Sequence, residues 1–262
     1  MTELDELLAV MAKLRDPDGG CPWDLEQDFA SIAPYTLEEA YEVADAIERG
    51  DLPALREELG DLLFQVVFHS RLAEERGAFD FRRVARDLVD KMRRRHPHVF
   101  GGTTLADAAT QTVAWEEHKA RERATRKEGV LDGVPVALPA LARAQKLGRR
   151  AARVGFDWPD AAAVLEKVAE ETRELEAAIA ARATAAEAVG EELGDLLFSI
   201  ANLARHLGVD AETALRRAGL KFETRFRHME AQLAAAGSGP EEAGMERLEQ
   251  LWNEAKEATA GR

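Results

Sequence analysis

Apolar residues recur at every third or fourth position along most of the chain, which is the spacing of one face of an α-helix. The longest stripes run from Leu4 to Leu14, Leu37 to Ile47, Leu55 to Val67, Phe81 to Met92, Val164 to Leu175 and Leu193 to Leu203. Gly50 and Asp51 separate two of these stripes, and Asp51 is predicted to cap the following helix. No segment alternates apolar and polar residues for long, so the sequence predicts an all-α chain of helical bundles.

The two halves of the chain are related by an internal duplication. The octapeptide EELGDLLF stands at residues 57–64 and again, unchanged, at residues 191–198. The segment YTLEEAYE at 35–42 corresponds to KVAEETRE at 167–174, and Trp115 corresponds to Trp252. Two repeats of this length predict two related domains in tandem rather than a solenoid of many short units.

The predicted domain boundary lies in a basic segment rich in helix breakers. Residues 119–153 hold ten lysines or arginines and three acids, and Gly129, Gly133, Pro135 and Pro139 interrupt the helical spacing. We therefore predict an N-terminal helical domain over 1–120, a connector over 121–150 and a C-terminal helical domain over 151–262. The connector is either a solvated linker or a basic strap that contacts a partner or a second subunit.

Charge and composition narrow the classes of protein that remain. The chain has 49 acids and 35 bases, a net charge of -14, which argues against stable nucleic-acid binding. The single cysteine, Cys21, excludes an intramolecular disulfide and favours a reducing cytoplasm. The acidic N-terminus does not resemble a signal peptide, and no apolar run approaches the length of a membrane span.

Paired carboxylates are the candidate chemistry. Glu39 and Glu42 leave one face of a helix, as Glu58 and Asp61 do on the next, and the short loop between them predicts antiparallel neighbours. The second half repeats the quartet as Glu171, Glu174, Glu192 and Asp195. Oxygen-only ligands favour Mg²⁺, with Mn²⁺ as a substitute. The alternative is a solvated acidic face, which the duplication of the whole pattern disfavours.

A glycine lies inside a predicted helix next to each quartet. At Gly60 and Gly194, glycine costs about 1 kcal/mol relative to alanine, so we expect a backbone or a ligand to approach closely there.

A carboxylate-bridged di-iron centre is disfavoured, because it would need Glu-x-x-His pairs and the sequence has none.

Cationic and aromatic residues follow the acidic blocks in each half. Lys221 and Arg225 lie four residues apart, as Lys91 and Arg95 do in the first half, so each pair can present two charges to an anionic phosphate chain. The alternative is pairing with acids on the same helix. Trp252 lies beyond them, where it either stacks on a base or packs in the core.

In this order the motifs resemble those of the MazG family of nucleoside triphosphate pyrophosphohydrolases. The family pattern stands here as Glu38-Glu39-x-x-Glu42 with Glu58-x-x-Asp61, and as Glu170-Glu171-x-x-Glu174 with Glu192-x-x-Asp195. The resemblance implies tandem helical domains of the all-α NTP pyrophosphatase type, a homodimer and Mg²⁺-dependent cleavage of the α–β phosphoanhydride of ribo- and deoxyribonucleoside triphosphates. The products would be a monophosphate and pyrophosphate, in the control or house-cleaning of nucleotide pools.

The same resemblance implies roles for individual residues and favours the second half as the principal site. The metal ligands would be Glu171, Glu174, Glu192 and Asp195, with Glu39, Glu42, Glu58 and Asp61 as a second possible set. Residues around the nucleotide would be Lys167, Glu170, Glu171, Glu191, Lys221, Arg225 and Trp252. Glu170 or an adjacent carboxylate is expected to orient or deprotonate the attacking water.

Two other functions remain open at this point. One is a non-catalytic helical scaffold that regulates a partner through its acidic faces. The other is a metal-dependent hydrolase of another phosphate compound, such as an alarmone or a single nucleotide. The scarcity of aromatic residues, 6% of the chain, favours broad base tolerance over recognition of one base.

Overall fold

A computed structural model of the chain describes residues 2–101, 129–181 and 186–259. All the regular elements in these ranges are helices, which confirms the predicted all-α class. The chain divides into two compact units, Met1–Glu122 and Arg123–Arg262. Trp115 and the first part of the predicted connector lie outside the described residues, so the division at 120 and 150 stays a prediction.

The first unit is built around one long helix. Its helices are α1 (Glu3–Leu14), α2 (Pro22–Glu26), α3 (Phe29–Arg49), α4 (Leu52–Glu75), α5 (Phe81–Arg95) and α6 (Pro97–Phe100). Helix α4 packs against α1, α3 and α5, and the α3–α4 contact is the most extensive of these. The apolar core of the unit is formed by Met11, Ile32, Val67, Phe68 and Leu72.

The turn between α3 and α4 fixes the relation of these two helices. Gly50 adopts a left-handed conformation with φ 66°, which a residue with a Cβ rarely adopts, and so ends α3. The Asp51 carboxylate accepts a hydrogen bond from the Ala54 amide at 3.1 Å and begins α4, as predicted. The two helices therefore run antiparallel through a two-residue connection, and the faces that carry Glu39 and Glu58 meet.

The second unit repeats this plan. Its helices are α7 (Ala140–Ala152), α8 (Ala161–Ala180), α9 (Ala186–His206), α10 (Ala211–Ala235) and α11 (Gly244–Ala258). Helix α9 packs against α8, α7 and α10, while α11 packs against α10. Met229, Leu233 and Leu251 form a core cluster in this unit. The last part of the segment proposed as a connector is thus helix α7, which packs against α9 and α10.

Many apolar side chains on the long helices are exposed in the single chain. Tyr41 and Ile47 on α3 are 51% and 59% exposed, and Leu59 on α4 is 50% exposed. On α9, Leu193 and Leu197 are 45% and 46% exposed. Across the described ranges, none of the helices combines the length and apolar character needed to cross a bilayer.

Candidate metal centre

Three carboxylates of the first unit converge between α3 and α4. Glu39 projects from α3, and Glu58 and Asp61 project from α4 at positions three residues apart. One oxygen atom from each of the three lies within 4.8 Å of the others. Oxygen atoms at this separation can share one divalent cation as ligands.

The second unit forms the corresponding cluster between α8 and α9. Glu171 projects from α8, and Glu192 and Asp195 project from α9, again with one oxygen from each within 4.8 Å of the others. Glu171 is only 5% exposed. A charged carboxylate buried to this degree needs a cationic partner, because desolvation disfavours its charged form.

The fourth carboxylate of each predicted quartet lies beside its cluster rather than within the group of close oxygens. Glu42 is near enough to Glu39 and Glu58 for its negative charge to raise the pKa of each. In the second unit, burial and then the charge of Glu171 raise the pKa of Glu174. The structure therefore brings three of the four predicted ligands together in each unit and places the fourth next to them.

Repulsion between like charges is evident in the first cluster. Burial raises the pKa of Glu39, and the charges of Asp61 and Glu42 raise it further. The pKa of Glu58 is raised by burial and then by the charges of Glu42 and Asp61. A divalent cation bound between these groups would remove that repulsion, so the donor set and its electrostatics both fit a hard metal ion.

A lysine neutralises part of the second cluster. The Lys167 ammonium lies 2.7 Å from Oε1 of Glu170 and 2.8 Å from Oε1 of Glu171. The two hydrogen bonds raise the pKa of Lys167 above its usual range, and the bond from Lys167 lowers that of Glu170. The sequence placed Lys167 beside the nucleotide but did not identify its contact with a predicted metal ligand.

Gly60 and Gly194 do not touch backbone elsewhere in the described chain. A Cβ built at either position meets no atom within 4 Å apart from its chain neighbours and the backbone of its own helix. The expectation of a close backbone contact is therefore wrong for the described parts of this single chain. The expectation of a ligand that approaches the helix next to Asp61 and Asp195 stays a prediction.

The predicted phosphate-binding residues Lys221 and Arg225 both lie on α10, outside the helix pair that carries the second cluster. Lys221 on α10 lines an open groove of about 530 Å³ together with Arg217, Thr224 and Thr259. Nε of Arg225 donates a hydrogen bond to Oγ1 of Thr259 at 3.0 Å. These contacts place the two cations beside the end of α11.

Trp252 on α11 has a packing role in the structure. Its ring lies 5.2 Å from that of Phe222, centroid to centroid, and it packs against the core cluster of the second unit. Glu191 is exposed and directly precedes Glu192 on α9. Their proposed contacts with the nucleotide stay predictions.

A polar pair that the sequence analysis missed lies near the first cluster. Oγ1 of Thr36 and Nε2 of His69 are 3.0 Å apart across the α3–α4 interface. Burial lowers the pKa of His69, which also stacks on Phe29. Thr36 precedes Glu39 by three residues and His69 follows Asp61 by eight, so helical register is the signal that would have placed the pair on this interface.

The chain matches the profile of one protein family and several known proteins. The profile of the MazG nucleotide pyrophosphohydrolase domain matches residues 27–100 and 160–230. The chain is 49% identical over 257 residues to a nucleoside triphosphate pyrophosphohydrolase of Escherichia coli (strain K12), with 98% of each chain covered. It is 44% identical over 252 residues to the nucleoside triphosphate pyrophosphohydrolase/pyrophosphatase MazG of Thermotoga maritima, with 96% of this chain and 95% of that one covered.

A solved structure, that of a mazG-related protein from Thermotoga maritima, also aligns with the chain. The sequence identity is 26% and the TM-score is 0.38, over 44% of this chain and 98% of that one. Each of the two segments matched by the domain profile contains one of the acidic clusters.

Proposed function

The chain belongs to the MazG nucleotide pyrophosphohydrolase family, and from that membership we propose that it hydrolyses nucleoside triphosphates between the α and β phosphates. The products are a nucleoside monophosphate and pyrophosphate. The proposed substrates are ribo- and deoxyribonucleoside triphosphates with broad base tolerance, and the proposed cofactor is Mg²⁺, for which Mn²⁺ can substitute. The observation that carries the proposal is the convergence of Glu171, Glu192 and Asp195 within 4.8 Å.

The residues of the second cluster fit a divalent cation by chemistry and by charge. Their donors are carboxylate oxygens, which hard divalent cations prefer as ligands, and the buried Glu171 has Lys167 as its ion-pair partner. Glu171, Glu192 and Asp195 would hold the ion, with Glu174 beside them. A bound Mg²⁺ would neutralise negative charge that develops on the phosphates and would help to orient the substrate.

Cationic side chains can offset the negative charge of the triphosphate that one metal ion leaves unbalanced. A triphosphate brings more negative charge than one divalent ion offsets, and Lys167, Lys221 and Arg225 can each donate hydrogen bonds to phosphate oxygens. Arg225 is already held in place by its bond to Thr259. Trp252 supplies an aromatic face, whose stacking on a base is tolerant of base identity.

We propose the second unit as the principal site. Both units carry a carboxylate cluster, but the first has Tyr35 at the position of Lys167 and Arg93-Arg94 at the positions of Glu223-Thr224. The family resemblance assigns the nucleotide contacts to residues of the second unit. We further propose a cytoplasmic homodimer, which the half-exposed apolar side chains on α3, α4 and α9 support because a second copy would cover apolar surface.

Glu170 is the proposed water-orienting residue. Glu170→Gln is expected to lower kcat about 100-fold while KM changes less, because the amide cannot accept a proton from water and general-base or water-orienting groups contribute at this level. The hydrogen bond from Lys167 lowers the pKa of Glu170. Steady-state kinetics with a triphosphate and Mg²⁺ measure both constants.

The matched control for this variant is Glu38→Gln, at the corresponding position of the first half. Its kcat is expected to stay within a few-fold of that of the original protein. A Glu170→Gln enzyme with unchanged kcat and raised KM would show that Glu170 only positions Lys167, and its role toward water would be dropped.

A further inference from the structure

The two carboxylate clusters differ at one repeat position that lies next to the ligand oxygens. In the aligned segments 35–42 and 167–174, Tyr35 corresponds to Lys167, while Glu38, Glu39 and Glu42 correspond to Glu170, Glu171 and Glu174. The duplication has thus kept the carboxylates and exchanged an aromatic ring for an ammonium group.

The ammonium group is engaged with the second cluster. Nζ of Lys167 lies 2.8 Å from Oε1 of Glu171, a carboxylate that is 5% exposed, and 2.7 Å from Oε1 of Glu170. Glu171 is also one of the three residues whose oxygens converge. The positive charge of Lys167 therefore stands beside one of the three carboxylates that would hold a metal ion.

Tyr35 has no such relation to the first cluster. Its ring packs edge-on against Trp23, with centroids 6.0 Å apart, and it is 41% exposed. The charge of Arg49 acts on Glu58, but Nε of Arg49 forms an ion pair with Oδ2 of Asp45, at 2.9 Å. The first cluster accordingly retains more uncompensated negative charge than the second.

The consequence for cation binding follows from electrostatics. A divalent ion that enters the second cluster meets the repulsion of the Lys167 charge and competes with its bond to Glu171. A polyphosphate beside the cluster offers the ammonium group new anionic oxygens, so release of Lys167 costs less when nucleotide is present. The two ligands then favour each other's binding, and this coupling is reciprocal.

We propose that Lys167 is an internal counter-ion that makes divalent-cation binding at the second cluster depend on bound nucleotide, whereas the first cluster, with Tyr35, binds a divalent cation without nucleotide. The proposal rests on the proposed function, because it takes both clusters as metal sites. It assigns different binding behaviour to two sites whose carboxylates are the same.

The test is a Mn²⁺ titration of the purified full chain, followed by the electron paramagnetic resonance signal of free Mn²⁺. Without nucleotide, one Mn²⁺ per chain is expected to bind tightly, and Asp61→Asn should abolish that binding. In the presence of an α,β-methylene triphosphate, corrected for Mn²⁺ bound to the analogue alone, a second equivalent should appear that Asp195→Asn removes.

Reciprocal substitutions at the exchanged position separate Lys167 from other differences between the units. Lys167→Met should tighten Mn²⁺ binding at the second cluster about tenfold or more without nucleotide, and Tyr35→Lys should weaken binding at the first by a similar factor. Lys167→Arg keeps the charge and should keep the nucleotide dependence. Thermal unfolding of each variant verifies that it is folded.

The possible failures are distinguishable. Two equal Mn²⁺ equivalents without nucleotide, unchanged in Lys167→Met, would overturn the counter-ion proposal and leave the proposed function standing. Absence of Mn²⁺ binding at either cluster, even with the analogue, would overturn the metal role of the carboxylates and with it both proposals.

Discussion

The double variant Glu192→Gln/Asp195→Asn is expected to lose about 1000-fold in kcat without loss of folding stability. These two residues are two of the three converging donors of the second cluster. Stabilisation of phosphate charge by a bound metal contributes several kcal/mol to catalysis, and each 1.36 kcal/mol is a factor of ten in rate. Because the substitutions also remove like charges, the free energy of unfolding without metal should stay unchanged or rise.

The matched control is Glu58→Gln/Asp61→Asn, which makes the same change at the corresponding positions of the first cluster. With the second unit as the principal site, this variant should retain turnover within about tenfold of the original protein. Urea unfolding and steady-state rates are measured for both proteins. Equal losses of turnover would contradict unequal roles for the units, and full activity in both would contradict a catalytic role for the carboxylates.

Arg15→Met is expected to lower the free energy of unfolding by about 3 kcal/mol, because it removes the charge-assisted hydrogen bonds of a buried guanidinium and leaves its backbone carbonyl partners without that donor. The Arg15 side chain is 7% exposed and forms an ion pair with Glu75 at 2.7 Å. It also donates hydrogen bonds to the backbone carbonyls of Asp24 and Gln27. One guanidinium thus joins the end of α1 to α2 and to the end of α4.

Arg71→Met provides the control for this variant, since Arg71 contacts the same Glu75 carboxylate at 2.9 Å. The Arg71 side chain is 27% exposed, so its loss should cost less than about 1 kcal/mol. Urea denaturation followed by circular dichroism measures both values. Equal costs for the two variants would contradict the importance of burial at Arg15.

Helical periodicity predicted the main elements because each long helix keeps one apolar face. The positions of Gly50 and Asp51 also predicted the turn between α3 and α4. A left-handed glycine ends a helix and an aspartate caps the next one through contacts with neighbouring residues alone. Helix α3 begins at Phe29, before the predicted stripe, because Asp28 caps it, and Pro34 lies inside the helix without ending it. The short helices α2 and α6 were not predicted, as five and four residues carry no periodic signal.

An apolar stripe does not reveal what covers it. Tyr41, Ile47 and Leu59 follow the helical spacing, yet each is at least half exposed in the single chain. The spacing of apolar residues reflects which side chains are buried in the assembled protein. They can be buried by the same chain or by a second copy of it. The homodimer therefore stays a proposal that these residues support.

The carboxylate clusters could be predicted because residues three apart on a helix share a face and the α3–α4 turn is short. The ion pair between Lys167 and Glu171 could not, because a lysine side chain has several rotamers and adjacent glutamates compete for it. Aligning the two repeats exposes the exchange of Tyr35 for Lys167, but only the structure shows which oxygen the ammonium group contacts.

Analysis of the reaction products tests cleavage between the α and β phosphates most directly. The purified protein is incubated with a panel of ribo- and deoxyribonucleoside triphosphates, with Mg²⁺ or with excess chelator, and the phosphate products are resolved. We expect monophosphate and pyrophosphate from triphosphates of several bases, and loss of both products with chelator. Diphosphate and orthophosphate as products would show cleavage of the β–γ bond and would contradict the proposed function. If no triphosphate is turned over, the proposal of an enzyme is wrong and the clusters are the binding face of a scaffold.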